Sequence, residues 1–257
     1  MKKIIYSILS ILLGSLSLVS CQDDNYDEPN SGIKGRFIDA ETSELVPMPV
    51  QGDNGVRLRL YEKDRFYSTD RDHSELPVSF YAKIDGTYEN SWAFSTDYLL
   101  TFEQTNFYPV DTIDVSLRGG SITEKDILVT PYARISDVRA TFENKQLNVA
   151  YKISRSKADY KIENTFLAWH ISPYIDKVTG NFMDMNTLDR KGTDDNQLLN
   201  TELTQSIDLT NNANFNKEDN KAIILGHGSQ IFVRIGVTTN GKVNYSTVVP
   251  VKVTIEK

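Results

Sequence analysis

The fold class is decided by one stretch near the end of the chain, Ile231-Phe232-Val233-Arg234-Ile235-Gly236-Val237-Thr238-Thr239-Asn240-Gly241. Its apolar residues Ile231, Val233, Ile235 and Val237 alternate with a mostly polar set that includes Arg234 and Thr238. Alternation with a period of two is the pattern of a half-buried β-strand. An Asn-Gly pair between two strand patterns favours a tight hairpin turn. We therefore expect an antiparallel hairpin centred on Asn240-Gly241.

The same alternation recurs along the chain, in residues 56–60, 113–117 and 147–153. Phe166 to Ile171 also reads as a strand, with Leu167, Trp169 and Ile171 on one face. No stretch holds an apolar stripe at helical spacing over three turns. Short strands with turn signals and no alternating helices predict an all-β protein made of antiparallel β-sandwiches.

A domain boundary is expected near Thr130-Pro131-Tyr132, because a strand pattern ends there and proline cannot donate within a β-ladder. Two domains of ordinary size follow, residues 32–131 and 132–257. In the first, Gly35, Asp39 and Thr42 in a G-x-x-x-D-x-x-T spacing precede D-G-x-Y at Asp85 and Y-x-L-x-F at Tyr98. This order resembles a transthyretin-like or carboxypeptidase-regulatory-like sandwich. The second domain resembles an immunoglobulin or fibronectin type III sandwich with Trp169 on a central strand.

The N-terminus has the features of a secretory signal. Lys2 and Lys3 precede a short apolar run, and a small residue stands before Cys21. The run is too short and too rich in serine for a membrane-spanning helix, which needs about 20 apolar residues. Leu18-Val19-Ser20-Cys21 resembles a bacterial lipobox, so residues 1–20 are predicted to be removed and Cys21 to be lipidated. Cys21 is the single cysteine, which excludes an intramolecular disulfide. The alternative is an ordinary signal peptide in which the cysteine falls there by chance.

Residues 21–31 are predicted to form a flexible tether, because Gln22 to Asn30 is acidic, polar and unable to bury a core. Acidic residues directly after a lipidated cysteine resemble the surface-export signal of Bacteroidetes lipoproteins, although a generic solvated linker has the same composition. The net charge of −7 argues against nucleic acid as a partner, because phosphate binding needs concentrated Lys and Arg.

The combination of these features resembles one family, the Bacteroidales outer-membrane lipoproteins of unknown function. The resemblance spans the mature chain and is carried by five motifs: Asn25-Tyr26-Asp27-Glu28-Pro29, Ile33-Lys34-Gly35, Asp85-Gly86-Thr87-Tyr88, Val129-Thr130-Pro131-Tyr132 and Val233-Arg234-Ile235-Gly236. It implies attachment to outer-membrane lipid through acyl chains, with the protein facing the cell exterior. It also implies an accessory role beside SusC/SusD-like glycan importers. Ser95-Thr96-Asp97 departs from the pattern, which has a glycine before Tyr98.

Motifs for catalysis or metal binding are not evident. His73, His170 and His227 lie in three separate segments without zinc-ligand spacing, and there is no Gly-x-Ser-x-Gly elbow. His170 is expected to face solvent, and His227 to lie in a loop between strands. Thr193-Asp194-Asp195-Asn196 lacks the alternating spacing of a calcium loop and is interpreted as a solvated loop. We expect no enzyme activity, no cofactor and no metal, although a carboxylate pair of a glycosidase is not excluded by counting.

Candidate ligand-binding residues are Trp92, Tyr174 and Phe182, because glycan sites stack sugars on aromatic side chains. Tyr174 and Phe182 lie in residues 173–221, an Asn/Asp/Thr-rich segment interpreted as a long loop of the kind that often carries function. The alternative for each aromatic residue is core or hinge packing. We predict non-catalytic glycan binding at the cell surface. A structural or adhesive lipoprotein, resembling the fimbrial subunits of Bacteroidales, is the alternative hypothesis.

Overall fold

The computed structural model describes residues 28–66 and 76–255. The predicted signal peptide, the lipidation site Cys21 and His73 lie outside these ranges. Two β-sandwiches follow one another along the chain, each around its own hydrophobic core. The all-β, two-sandwich prediction is confirmed. No helix in the described ranges has the length and apolar character needed to cross a membrane.

Within residues 28–66 and 76–130, the first sandwich contains eight strands and one short helix. Their bounds are β1 Ser31–Asp39, β2 Arg57–Glu62, α1 Lys63–Phe66, β3 Val78–Tyr81, β4 Thr87–Ala93, β5 Asp97–Glu103, β6 Ile113–Ser116, β7 Ile122–Glu124 and β8 Ile127–Val129. One sheet has the order β4-β1-β7, with β8 also paired to β1, and the other has the order β3-β2-β5-β6. Phe37, Tyr88 and Phe107 are among the aromatic residues that fill the space between them.

One feature of the first sandwich departs from a purely antiparallel fold. β1 pairs in parallel with β7 through Gly32 to Lys34 and then with β8 through Phe37 to Asp39. The chain passes close to β1 between these two pairings, at Lys125. Gly35 faces this point, and a methyl group there would overlap the Lys125 carbonyl. Glycine is therefore required at position 35 by the close approach of another backbone.

The second sandwich contains eight strands and three short helices. Their bounds are β9 Ala133–Glu143, β10 Gln146–Arg155, β11 Ile162–His170, β12 Asp184–Asp189, α2 Asp195–Leu198, β13 Leu203–Asp208, α3 Ala213–Asn216, α4 Glu218–Gly226, β14 Gln230–Thr239, β15 Lys242–Tyr245 and β16 Val249–Lys252. The sheets have the orders β13-β10-β9 and β12-β11-β14-β15, with β16 also paired to β14. Trp169 is fully buried between them.

The predicted hairpin is confirmed between β14 and β15. Asn240 and Gly241 both have positive φ, 52° and 67°, which is the backbone of a two-residue type I′ turn. Asparagine and glycine adopt this conformation with the least steric cost, so the local sequence sets the register of the hairpin.

Two other local expectations were wrong. Residues 173–221 are not one long loop, because they contain β12, α2, β13 and α3. Several of their Asn and Asp side chains cap helices: Asp194 accepts from the Asn196 amide and Asn212 from the Phe215 amide. His227 does not lie between strands either. It follows the last turn of α4, and its amide donates to the Ile223 carbonyl.

The interpretation of β14 as a half-buried strand was also wrong. Ile231, Val233, Ile235 and Val237 face the main core as predicted, but Arg234 on the opposite face is 0% exposed and Thr238 is also buried. That face packs on a smaller cluster that includes Phe166, Ile175 and Tyr245. The strand is therefore covered on both faces, one by its own sandwich and the other by the junction with the first sandwich.

Buried polar side chains of the second sandwich hold backbone groups of the first across this junction. The Arg234 guanidinium donates to the Met48 carbonyl over 2.8 Å. The buried carboxylate of Asp176 accepts from the Val50 amide over 3.0 Å. The Asn244 amide donates to the Asn106 carbonyl over 2.7 Å. These bonds fix residues 48, 50 and 106 of the first sandwich against residues 234, 176 and 244 of the second.

Candidate functional site

Trp92 is the most exposed of the three predicted aromatic residues, with 72% of its surface accessible. It lies at a β-bulge, where Ser91 and Trp92 of β4 stand opposite the single residue Gly32 of β1. The Trp92 amide, which the ladder leaves unpaired, donates to the Asn90 side chain over 2.8 Å. A bulge re-aims side chains and is common beside functional sites. Here it presents the indole on the outer face of the sheet.

An open groove follows the same face of the sheet and has a volume of about 550 Å³. We name it the sheet groove. Its charged lining residues are Lys34, Arg36, Lys83, Glu89, Glu124 and Asp126. Each cation is paired: Lys34 with Glu124 at 2.8 Å, Lys83 with Glu89 at 3.3 Å, and Arg36 with Asp126. The groove thus offers many donors and acceptors without a net charge.

Lys34, Glu89 and Glu124 form a charge ladder across three neighbouring strands, and it was not predicted from the sequence. Lys34 and Glu89 are opposite each other in the register of β1 and β4, and Glu124 is opposite Lys34 in the register of β1 and β7. Charged residues at alternate positions of β1 indicated only a solvated face. Their grouping into one groove depends on which strands pair, and the sequence pattern of one strand does not contain that information.

Tyr174 is 60% exposed and borders a second open cavity of about 520 Å³, at the junction of the two sandwiches. We name it the seam cavity, and it is lined by Val50, Gln51, Lys83, Ile84, Asp85 and Tyr174. Lys83 also lines the sheet groove, so the two cavities adjoin. Tyr174 lines the seam cavity, and Trp92 lies on β4 three residues after Glu89 of the sheet groove.

The segment that carries Tyr174 is held in place by contacts with both sandwiches. Ile175 is buried, and its carbonyl accepts from the Arg234 guanidinium over 2.7 Å. The Asp176 carboxylate accepts from the amides of Val50 and Val178. A rigid support of this kind positions an exposed aromatic ring before any ligand arrives, which reduces the entropic cost of binding.

Phe182 differs from Trp92 and Tyr174 in its exposure. It is half-buried and packs on the cluster of Phe166, Ile175 and Tyr245 below the junction. Its place in the structure is that of a packing residue next to the loop of Tyr174.

The ring nitrogens of His170 and His227 contact backbone groups. His170 was expected to face solvent, but it is half-buried; burial lowers its pKa, and its Nδ1 accepts from the Ser172 amide. His227 Nδ1 lies 3.2 Å from the Ile171 carbonyl. Among the residues that the structure describes, no three His, Cys, Asp or Glu side chains are grouped so that they could hold a metal ion.

The fold and the site define a two-domain β-sandwich protein with an exposed, rigidly supported surface that combines aromatic and polar side chains. Two family models match the chain in succession: the N-terminal domain of the DUF3823 proteins of unknown function over residues 31–130, and the DUF3823 C-terminal domain over residues 133–250. Together they span most of the chain, which therefore belongs to the DUF3823 family.

Solved structures of similar fold come from Bacteroides and its relatives. A DUF3823 family protein from Parabacteroides merdae is 22% identical with a TM-score of 0.67, and one from Bacteroides uniformis is 18% identical with a TM-score of 0.69. A proposed carbohydrate-binding protein from Bacteroides uniformis is 20% identical with a TM-score of 0.65. Each alignment covers 88% of this chain and 100% of the other. A comparison with curated proteins found no match.

Proposed function

We propose that the protein is a lipid-anchored surface protein that binds glycans without catalysis, as an accessory to a Sus-type glycan-uptake system. The observation that carries this proposal is the pair of adjoining open cavities, the sheet groove and the seam cavity, with Tyr174 exposed in the seam cavity and Trp92 exposed on β4, the strand that also lines the groove. Three parts of the proposal rest on the family resemblance and on the sequence of the N-terminus. They are the lipid anchor at Cys21, the location on the outer face of the outer membrane and the SusC/SusD-like partner.

The chemistry of the surface suits a sugar chain. A pyranose ring has an apolar face of C–H groups and a rim of hydroxyl groups. An exposed indole or phenol ring stacks on the apolar face, and both kinds of ring supply a large rigid contact area at low entropic cost. The paired charges of the sheet groove present donors and acceptors to the hydroxyl groups. An open groove rather than a closed pocket leaves room for a polymer to continue at both ends.

The similar structure from Bacteroides uniformis that is described as a proposed carbohydrate-binding protein supports the same class of ligand. The lack of catalysis is inferred from the pairing of the groove carboxylates. Glu89 and Glu124 are exposed on an open face and each is bound to a lysine, whereas a glycosidase places one carboxyl group where burial keeps it protonated.

The test is binding of the mature chain to a panel of polysaccharides by affinity gel electrophoresis, followed by calorimetry on the glycans that retard it. Trp92→Ala removes the most exposed ring and should weaken binding at least tenfold, which corresponds to about 1.4 kcal/mol. The melting temperature should not change, because an exposed side chain contributes little to the core.

Tyr160→Ala is the matched control, because Tyr160 is another partly exposed aromatic residue and contacts Tyr108 and Tyr132, away from the groove. It should leave glycan binding unchanged. Equal losses in the two variants would contradict the assignment of the surface, and a panel without any retarded glycan would contradict the function.

The adhesive alternative has weaker support. Strand addition needs a long, regular and open edge strand, and β9 with 11 residues is a candidate because its sheet order places it at an edge. However, β9 carries a β-bulge at Asp137, which has φ 54°, and its exposed residues include Arg139 and Glu143. Bulges and charges are devices that protect an edge against pairing.

A further inference from the structure

A third cavity lies next to the seam cavity, and the segment around Pro49 and Val50 separates the two. Its volume is about 150 Å³, and its walls include Asn54, Gln104, Asn106, Lys177, Lys242 and Tyr245. We name it the lysine pocket. Pro49 lines it while Val50 and Gln51 line the seam cavity, and Lys177 stands three residues after Tyr174. The two cavities therefore flank the same two segments.

The lysine pocket differs from the sheet groove in its charge. It is lined by two lysines and by no Asp or Glu. Across residues 28–66 and 76–255, neither Lys177 nor Lys242 has an ion pair or a side-chain hydrogen bond, whereas the three cations of the sheet groove are all paired. The chain as a whole has a net charge of −7, so this local excess of positive charge is not a consequence of composition.

Asp176 is the nearest acidic residue along the chain to Lys177, but these two described residues form no ion pair. Its two oxygens are taken by the amides of Val50 and Val178 and by the side chain of Asn181. A carboxylate that already accepts three hydrogen bonds is tied to the backbone of the junction. The ammonium groups of Lys177 and Lys242 are left for a ligand.

The buried wall of the pocket adds a neutral donor. Tyr245 is 5% exposed, and its hydroxyl oxygen accepts from the Lys177 amide over 3.4 Å. Burial raises the pKa of the Tyr245 hydroxyl, which therefore keeps its proton near neutral pH and can donate it. The Asn106 side chain is also buried, and its Nδ2 donates to the Pro47 carbonyl over 3.2 Å. The buried wall thus adds one neutral donor, the Tyr245 hydroxyl, to the two lysines.

We propose that the lysine pocket binds the anionic group, carboxylate or sulfate, of an acidic polysaccharide whose neighbouring sugar stacks on Tyr174. The proposal rests on the glycan-binding function and names its substrate class. Two ammonium groups on a single anion form charge-assisted hydrogen bonds, which are about twice as strong as neutral ones.

The experiment compares glycans that share a backbone and differ in whether they carry an anionic group, by calorimetry with the mature chain. The pairs are polygalacturonate with its methyl ester, and dextran sulfate with dextran. Polygalacturonate carries the carboxylate and dextran sulfate carries the sulfate, so the two pairs distinguish the source of the anion. We expect the charged member of at least one pair to bind at least tenfold more tightly than the neutral member, with an affinity that falls as salt is added.

The double variant Lys177→Gln/Lys242→Gln should remove this preference without lowering the melting temperature, because both lysines are exposed and unpaired. The matched control is Lys217→Gln/Lys221→Gln. It removes the same charge from the start of α4, and neither residue lines the lysine pocket. It should keep the preference. Trp92→Ala should weaken binding of charged and neutral members equally.

Equal binding of charged and neutral members, or a preference that survives in Lys177→Gln/Lys242→Gln, would overturn the proposal. In both cases the glycan-binding function stands if binding still depends on Trp92. A protein that binds neither member of either pair and none of the panel overturns the function together with the proposal.

Discussion

The guanidinium of Arg234 lies over the ring of Tyr245, with 4.4 Å between its Cζ and the ring centroid, and both side chains are buried at the junction of the two sandwiches. The Arg234 nitrogens donate to the carbonyls of Ser246 and Ile175 in the second sandwich and of Met48 in the first. Burial lowers the pKa of Arg234 to about 10, so the group stays charged near neutral pH. The cation is satisfied by carbonyl dipoles and an aromatic face.

Replacing Arg234 by Met should therefore destabilise the protein. The substitution preserves volume but leaves three buried carbonyls without a donor, and each such group costs about 1 to 3 kcal/mol. We expect the free energy of unfolding to fall by at least about 3 kcal/mol in urea denaturation. Arg234→Lys should be intermediate, because it keeps the charge and loses the planar fork of donors.

Arg139→Met is the control for this measurement, since Arg139 is exposed and paired with Glu202. It should change stability little, as exposed ion pairs generally do. Similar effects of Arg234→Met and Arg139→Met would show that the buried guanidinium does not join the sandwiches.

Arg234 also shows where prediction from sequence ends. The alternation in β14 identified the strand and its core face because both depend on local spacing. The opposite face carries Arg234 and Thr238, and polar residues there normally indicate solvent. Arg234 is instead bonded to the carbonyls of Met48 and Ile84, which lie about 150 to 190 positions earlier in the chain. No periodicity within β14 contains that contact.

The candidate site likewise has features that could be predicted from the sequence and features that could not. Trp92 and Tyr174 could be selected by residue type, and both side chains are exposed in the structure. Phe182 was selected on the same grounds but packs below the junction. The lysine pocket and the charge ladder could not be predicted, because they unite residues of different strands and domains. The parallel pairing of β1 with β7 and β8 was missed for the same reason.

The ion pair between Asp39 and Arg134 joins β1 of the first sandwich to β9 of the second, and predicts a dependence of stability on pH. Burial acts to raise the pKa of Asp39, but the hydrogen bonds from Arg134 and from the Glu41 amide outweigh it and lower the pKa overall. A lowered pKa in the folded state stabilises the fold above the unfolded pKa of about 3.9. This contribution is lost as the pH falls below that value.

Asp39→Asn should lower the free energy of unfolding by about 3 kcal/mol at pH 7, because it leaves a mostly buried Arg134 without its main partner. The difference between the wild type and the variant should shrink between pH 4 and pH 2, roughly the range below the unfolded pKa. Urea denaturation at a series of pH values measures it. A difference that is constant down to the lowest pH would contradict the assignment.

Gly35 is predicted to tolerate no side chain. The methyl group of Gly35→Ala would overlap the Lys125 carbonyl and approach the Tyr88 hydroxyl, which itself donates to Lys125. Overpacking of this kind costs about 1 to 3 kcal/mol, and backbone yields less easily than a flexible side chain. Thermal unfolding followed by circular dichroism should show a lower melting temperature.

Gly226→Ala provides the comparison, because Gly226 ends α4 and a methyl group there meets no atom within 4 Å. Alanine is favoured over glycine in a helix by about 1 kcal/mol, so this variant should be neutral or slightly more stable. A Gly35→Ala protein as stable as Gly226→Ala would mean that β8 can move away from β1 at no cost.

Cys21→Ser tests the proposed anchor. Without a thiol no thioether to lipid can form, and several acyl chains contribute about 0.8 kcal/mol for each buried methylene. We expect the variant to lose incorporation of labelled palmitate in growing cells and to leave the membrane fraction. Ser20→Ala keeps a small residue before the cysteine and should retain the label. A Cys21→Ser protein that still sediments with membranes would indicate another mode of attachment.

The acidic residues after Cys21 give a prediction that separates anchoring from export. Neutralising them with Asp23→Asn, Asp24→Asn, Asp27→Asn and Glu28→Gln leaves the lipobox intact, so palmitate labelling and membrane association should persist. If the acidic stretch is the surface-export signal, the variant should stay on the inner leaflet of the outer membrane. Proteinase K added to intact cells should then degrade the wild type and spare the variant, and both should be degraded after lysis. Equal digestion of the two proteins in intact cells would assign the stretch to a solvated linker, with surface exposure determined elsewhere in the chain.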